Sequence, residues 1–275
     1  MINRFYNLID LFTKEGGLSI IRFGNVEATQ MLTDQIYDQM KTNAGFFGED
    51  IKSWKADVLR CMLTSDVSLK VYSCSSFSVV DDVINKYQVF IPTVPYVEDI
   101  SFWISFLDFL PTNNLCFVSY FAEEMEKQIP FMNWIFPKKI RYKKQNPRDW
   151  KFIFSENTIA GNEPKDKSYN EVLEDLFQRC LEKDADVYLL SCGCYGLPLQ
   201  YKLKEAGKKS VYIGGLMQLL FGLKGKRWDD RKIIKQHYNK YWKYPTKKPI
   251  NAEGVEGWCY GGDNKKSSPL SQVES

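Results

Sequence analysis

Apolar runs of four to six residues, rich in strand formers, recur along the chain at 18–23, 68–72, 115–119, 186–191 and 210–213. Between and around them lie stretches with the apolar spacing of helices: 3–14, 28–40, a helix ending over 58–63, 100–110, 121–128, 168–181, 197–206 and 229–237. Ser168 with Glu171 is a capping-box pattern, and Gly207 is a helix stop. Residues 88–95 read as extended and proline-broken, and 134–150 and 161–167 as loops. The apolar runs end in short polar or glycine turns: Gly24-Asn25-Val26-Glu27, Ser73 to Ser76, Gly193-Cys194-Tyr195-Gly196 and Gly214-Gly215. Strand, turn, helix, strand is a βαβ unit, which requires parallel strands and a right-handed crossover. The fold class predicted is a doubly wound, Rossmann-like α/β sheet of five to seven mostly parallel strands with helices on both faces. Residues 1–262 are expected to form a single domain, and the small polar residues 263–275 a disordered tail.

Candidate chemistry sits at these turns, because ligands of such sheets bind outside the carboxyl ends of the strands. Glycines there let backbone N–H groups approach a phosphate that a Cβ would obstruct. Gly193, Gly196, Gly214 and Gly215 are therefore candidate donors, with Tyr195 beside them. Lys224, Lys226, Arg227 and Trp228 follow closely, three cations and an indole that suit an anionic ligand bearing a flat ring. Arg22 is a further natural phosphate ligand, since a guanidinium binds two oxygens at once. Asn25 and Glu27 could hold a hard divalent cation, Mn²⁺ or Mg²⁺, beside a diphosphate, although an N-capped helix with a Glu in its first turn satisfies the same residues. His237 is the one histidine, a candidate base or a structural residue. Glu123, Glu124 and Glu126 invite an acid/base reading but are expected on solvated helix faces, and Cys192 and Cys194, compatible with a thiol at the site, are expected as small buried hydrophobes.

Composition narrows the partners. The chain has 275 residues, 44% hydrophobic and 26% charged, with a formal net charge of only +3, so nothing global points to nucleic acid. Basic residues are local, around 138–151 and 224–248. No apolar run approaches the roughly 20 residues of a membrane span, and the first residues lack the pattern of a secretory signal, so a cytoplasmic location is expected. Seven cysteines at irregular spacing, with no CxxC pair, indicate neither a disulfide framework nor a zinc site. GxGxxG and GxxxxGK[ST] are absent, which leaves a dinucleotide fingerprint and a P-loop unsupported.

The stretch Ser19-Ile-Ile-Arg22-Phe-Gly24-Asn25-Val-Glu27 resembles the opening motif of the GT-D glycosyltransferases, a nucleotide-sugar-dependent family in which arginine, aromatic and glycine precede an Asp-x-Glu. The match holds at Arg22, Gly24 and Glu27 and departs at Asn25, which costs a metal site one charge. A second stretch, CGCYGLPL onward to GGLMQLLFGLKGKRW, YNKYWKYP and VEGWCY, is similar to uncharacterised proteins encoded near surface-polysaccharide genes. Together the resemblance covers about residues 17–60 and 115–260. It implies transfer of a sugar from a UDP-sugar, UDP-glucose or a related hexose or pentose, to a glycan acceptor hydroxyl. Glu27 or His237 would then be the base, Asn25 and Glu27 the metal ligands, and Arg22, Gly24, Gly193, Tyr195, Gly196, Gly214, Gly215, Lys224, Lys226 and Arg227 the donor-binding set. A polysaccharide-modifying enzyme that uses no nucleotide sugar, or a non-catalytic nucleotide- or glycan-binding protein, is the alternative.

Overall fold

The structure is a computed structural model of the chain that describes residues 8–71, 77–96, 99–137, 140–159 and 162–246. Seven strands form its sheet: β1 (Leu18–Arg22), β2 (Val67–Val71), β3 (Thr93–Tyr96), β4 (Leu115–Ser119), β5 (Lys151–Phe154), β6 (Val187–Ser191) and β7 (Lys209–Tyr212). Their order is β3-β2-β1-β7-β6-β4-β5 and every pairing is parallel. The main helices are α1 (Asn25–Leu32), α2 (Ile51–Thr64), α3 (Phe77–Tyr87), α4 (Ile100–Phe109), α5 (Tyr169–Lys183) and α6 (Gly196–Glu205).

Central strands covered on both faces read as unbroken apolar runs, and all five residues of β4 are buried. Successive side chains serve opposite cores, as the two-residue period requires. Ile20, Phe117, Leu189 and Val211 pack beneath α4 and the segments 121–150 and 214–242. Ile21, Val118, Leu190 and Tyr212 face α1, α2, α5 and α6. The fold is therefore the doubly wound, Rossmann-like α/β sheet that the alternation predicts.

Several expectations are refined. The capping box is present, with the Ser168 hydroxyl accepting from the Glu171 amide and the Glu171 carboxylate accepting from the Ser168 amide. The helix expected over 28–40 breaks after Leu32, because the Gln30 amide takes over local backbone bonding. Its carbonyl accepts from the Tyr37 N–H and its NH₂ donates to the Gln35 carbonyl. Strand β5 and helix α3 lie where no element was expected. Glu124, expected in solvent, is 3% exposed and holds Thr246 and Lys243. The aromatic segment near Trp242 folds back over the sheet, with the Trp242 indole donating to the Ile135 carbonyl at 3.0 Å. The turn at Ser73 to Ser76 and the tail 263–275 lie outside the described residues. Among the described residues no helix is long and apolar enough to cross a membrane.

Candidate functional site

The chain leaves β1 toward α1 on one face and leaves β7 toward the segment 214–242 on the other, so a crevice opens between their carboxyl ends. The same divergence occurs between β6 and β4. A cleft of about 300 Å³ lies there. Of the residues singled out above, Arg22, Gly24, Asn25, Glu27, Gly193, Tyr195, Gly214, Gly215 and Arg227 line it.

Glu27 is the chemical centre. Gly24 caps α1 in an extended conformation, and the carboxylate in the first helical turn folds back into space that a Cβ on Gly24 would fill. Glu27 is 7% exposed. Burial raises its pKa above the ordinary value, outweighing its own amide, the nearby Arg22 charge and the Tyr212 hydroxyl, all of which favour the anion. The Tyr212 hydroxyl has two acceptors in reach, the Gly193 carbonyl at 3.2 Å and Glu27 Oε1 at 3.4 Å, but one hydrogen. A protonated Glu27 can therefore donate to Tyr212 while Tyr212 donates to Gly193.

Two guanidinium groups converge on the turn after β7. Gly214 has φ of +72°, and a Cβ there would stand 2.7 Å from Arg22 Nη1. A Cβ on Gly215 would occupy the place of Arg227 Nη2. Arg227 lies flat on the Trp228 ring, 3.8 Å from its centroid, and its buried Nε has no hydrogen-bond partner. Gly214 and Gly215 also open the 3-10 helix Gly214–Phe221, whose first amides have no partner in the helix's own ladder. Cationic side chains and open amides together make an anion site.

The glycine turn after β6 does something else. Gly193 has φ of +56° and abuts the Ala44 carbonyl, which accepts from the Cys194 amide at 2.8 Å. The Tyr195 amide is bound to Cys192, and Gly196, outside the cleft wall, makes room for the Tyr212 ring. These glycines serve packing, and the Cys194 and Tyr195 amides are already committed. Tyr195 is 1% exposed, stacked on Tyr169 at 4.9 Å and bonded to Thr158, so it is floor and not a stacking platform. Cys192 and Cys194 are buried with their thiol pKa values raised by desolvation, the inert state expected of them.

Besides Gly196, three candidates lie away from the cleft wall. Lys224 sits over the Tyr238 and Tyr244 rings, Lys226 belongs to the short turn Lys226–Trp228, and His237 is half-buried with its ring 6.4 Å from Phe136. His237 is not among the residues that line the cleft. Conversely, Ser119, Tyr120, Ser155, Asn157, Tyr212 and Gln218 line the cleft without having been singled out. Their one sequence signal is position at or just past the ends of strands.

For a divalent cation the cleft offers the buried carboxylate of Glu27, the exposed carboxylate of Glu156 and the exposed amide of Asn25, beside an arginine. No group of three His, Cys, Asp or Glu suited to a metal occurs among the described residues. Such a donor set suits a hard cation only when a ligand's phosphates supply further oxygens. No protein-family model, curated protein or solved structure matches the chain.

Proposed function

We propose that the cleft binds a UDP-sugar and transfers its sugar to a glycan acceptor hydroxyl. The observation that carries this reading is the convergence of Arg22 and Arg227 on Gly214-Gly215, in a cleft whose one deeply buried carboxylate is Glu27. Arg22 and Arg227 would grip the diphosphate and stabilise the charge that develops on UDP as it departs. Glu27 would take the proton of the acceptor hydroxyl. The acceptor oxygen then bonds the anomeric carbon as the bond from that carbon to the phosphate oxygen breaks. Its raised pKa suits a general base, which works best when its pKa approaches the ambient pH. Mn²⁺ or Mg²⁺ would be held by the diphosphate with Asn25 and Glu27, and Glu27 has the role of base only where no metal binds, so no step depends on the cation.

Calorimetric titration with UDP, with and without Mn²⁺, tests the reading. Saturable binding is expected, weakened by about 1 to 3 kcal/mol in Arg227→Ala, the range for a lost charge-assisted hydrogen bond. No binding of UDP or of any UDP-sugar in either buffer would sink the proposal. A folded Arg227→Ala with unchanged affinity would remove that residue from it.

A further inference from the structure

Parts of the two basic stretches of the sequence are brought to the same face of the sheet. By sequence, residues 131–151 carry seven cations and one carboxylate and residues 224–246 eight cations and two; Lys138 and Lys139 lie outside the described residues, Arg227 lines the cleft, Lys243 pairs with Glu124 and Lys151 donates to the Lys183 and Asp184 carbonyls, while Lys232, Lys235 and Lys240 are exposed. The two stretches pack on each other: Asn239 donates to the Trp134 and Ile135 carbonyls, Trp242 donates to Ile135, and both segments cover one apolar core. Where they meet, large apolar side chains stand in solvent. Trp134 is 54% exposed and Phe131 41%, and both rings neighbour Tyr241, at 5.7 and 6.1 Å. Lys240 lies over the Tyr241 ring. The adjoining short helix Lys232–Lys235 buries Ile234 but exposes Ile233 (51%), Lys232 and Lys235. Of the two carboxylates of the segment 224–246, Asp229 is occupied by the Tyr238 and Tyr244 hydroxyls and Asp230 is exposed.

We propose that this face docks on an anionic lipid surface. Exposed Trp, Tyr and Phe side chains suit the boundary between headgroups and acyl chains, and a lysine-rich rim is attracted to acidic headgroups. An acidic polymer would use the same charge but has no comparable need for solvent-exposed Trp134 and Ile233. The inference does not depend on what the cleft binds.

The full chain is sedimented with vesicles of phosphatidylglycerol in phosphatidylcholine, and with pure phosphatidylcholine. Partition onto the acidic vesicles alone, falling as salt rises, is expected. Replacing Lys232, Lys235 and Lys240 together by Ala should weaken it by about fivefold per lysine, on the order of a hundredfold in all. Trp134→Ala, which leaves the charge unchanged, should weaken it severalfold. Circular dichroism and thermal melts of both variants report on folding. No partition onto acidic vesicles overturns the proposal, as does a folded triple variant that sediments like the parent. Retention on heparin that Trp134→Ala does not alter, without vesicle binding, would overturn it in favour of an acidic polymer.

Discussion

Glu27, to which the proposed reaction gives the role of base, is a carboxylate buried against its own ionisation. Desolvation raises its pKa, so the folded chain keeps a proton at pH values where the unfolded chain, near 4.3, has released it. Because the native state then binds more protons, stability falls as pH rises from the unfolded pKa through the folded one, and stays reduced above it. Glu27→Gln keeps the shape and abolishes the titration. Its melting temperature should exceed the parent's at pH 8, with the difference closing below about pH 4, while transfer activity drops by about 10² to 10⁴. A variant that loses stability equally at every pH would show that the carboxylate is structural. Arg22, Glu27 and Arg227 were legible in the sequence because charged residues beside glycine turns follow strands. Tyr212 was not, because a tyrosine closing a strand looks like any other core aromatic until its partners are known. For His237 the sequence left base and structural residue both open, and the structure adds a ring contact with Phe136 outside the cleft lining.

At the level of elements, the turn after β7 shows two glycines with different reasons. Gly214 needs its left-handed φ of +72°, which costs other residues about 1 to 2 kcal/mol, and it also clears Arg22. Gly215 has no such φ and clears only Arg227 Nη2, the far end of a flexible side chain. Gly215→Ala should therefore fold with nearly parental stability yet bind UDP as weakly as Arg227→Ala, whereas Gly214→Ala should lose both stability and affinity. Denaturant titration paired with calorimetry separates the two, and parental UDP affinity in Gly215→Ala would contradict the role given to Arg227. The strands of the sheet centre were readable because burial on both faces makes them continuously apolar. Strand β5, four residues at the sheet edge and mostly half-buried, has no such run. The break after Leu32 depends on one glutamine side chain bonding to backbone, which periodicity cannot register.

Across the whole molecule, the cleft exists because the chain departs from β1 and β7 to opposite faces, and Arg227 reaches it only if the segment 214–246 is held down. The anchors are distant in sequence. Gln128 donates to the Phe221 and Tyr241 carbonyls, both at 3.0 Å, and Glu124 accepts from the Thr246 amide and hydroxyl and pairs with Lys243 at 3.1 Å. None of this was legible, since a Glu in an acidic helical stretch reads as solvated until the C-terminal segment is placed over it. Burial raises the Glu124 pKa, but the bonds from Thr246 and Lys243 outweigh it and bring it down to about 2. Its contribution to stability is therefore complete above the unfolded pKa and is lost as pH falls from there through about 2. Glu124→Gln should cost about 1 to 3 kcal/mol at pH 7, the range for a weakened buried charge-assisted bond. That deficit should shrink as the parent itself is acidified. Glu27→Gln should do the reverse, gaining on the parent as pH rises. One pH series of thermal melts on the two variants thus distinguishes a carboxylate that holds the scaffold from one that the scaffold holds at a cost. Parallel curves for the two would contradict the roles assigned to both.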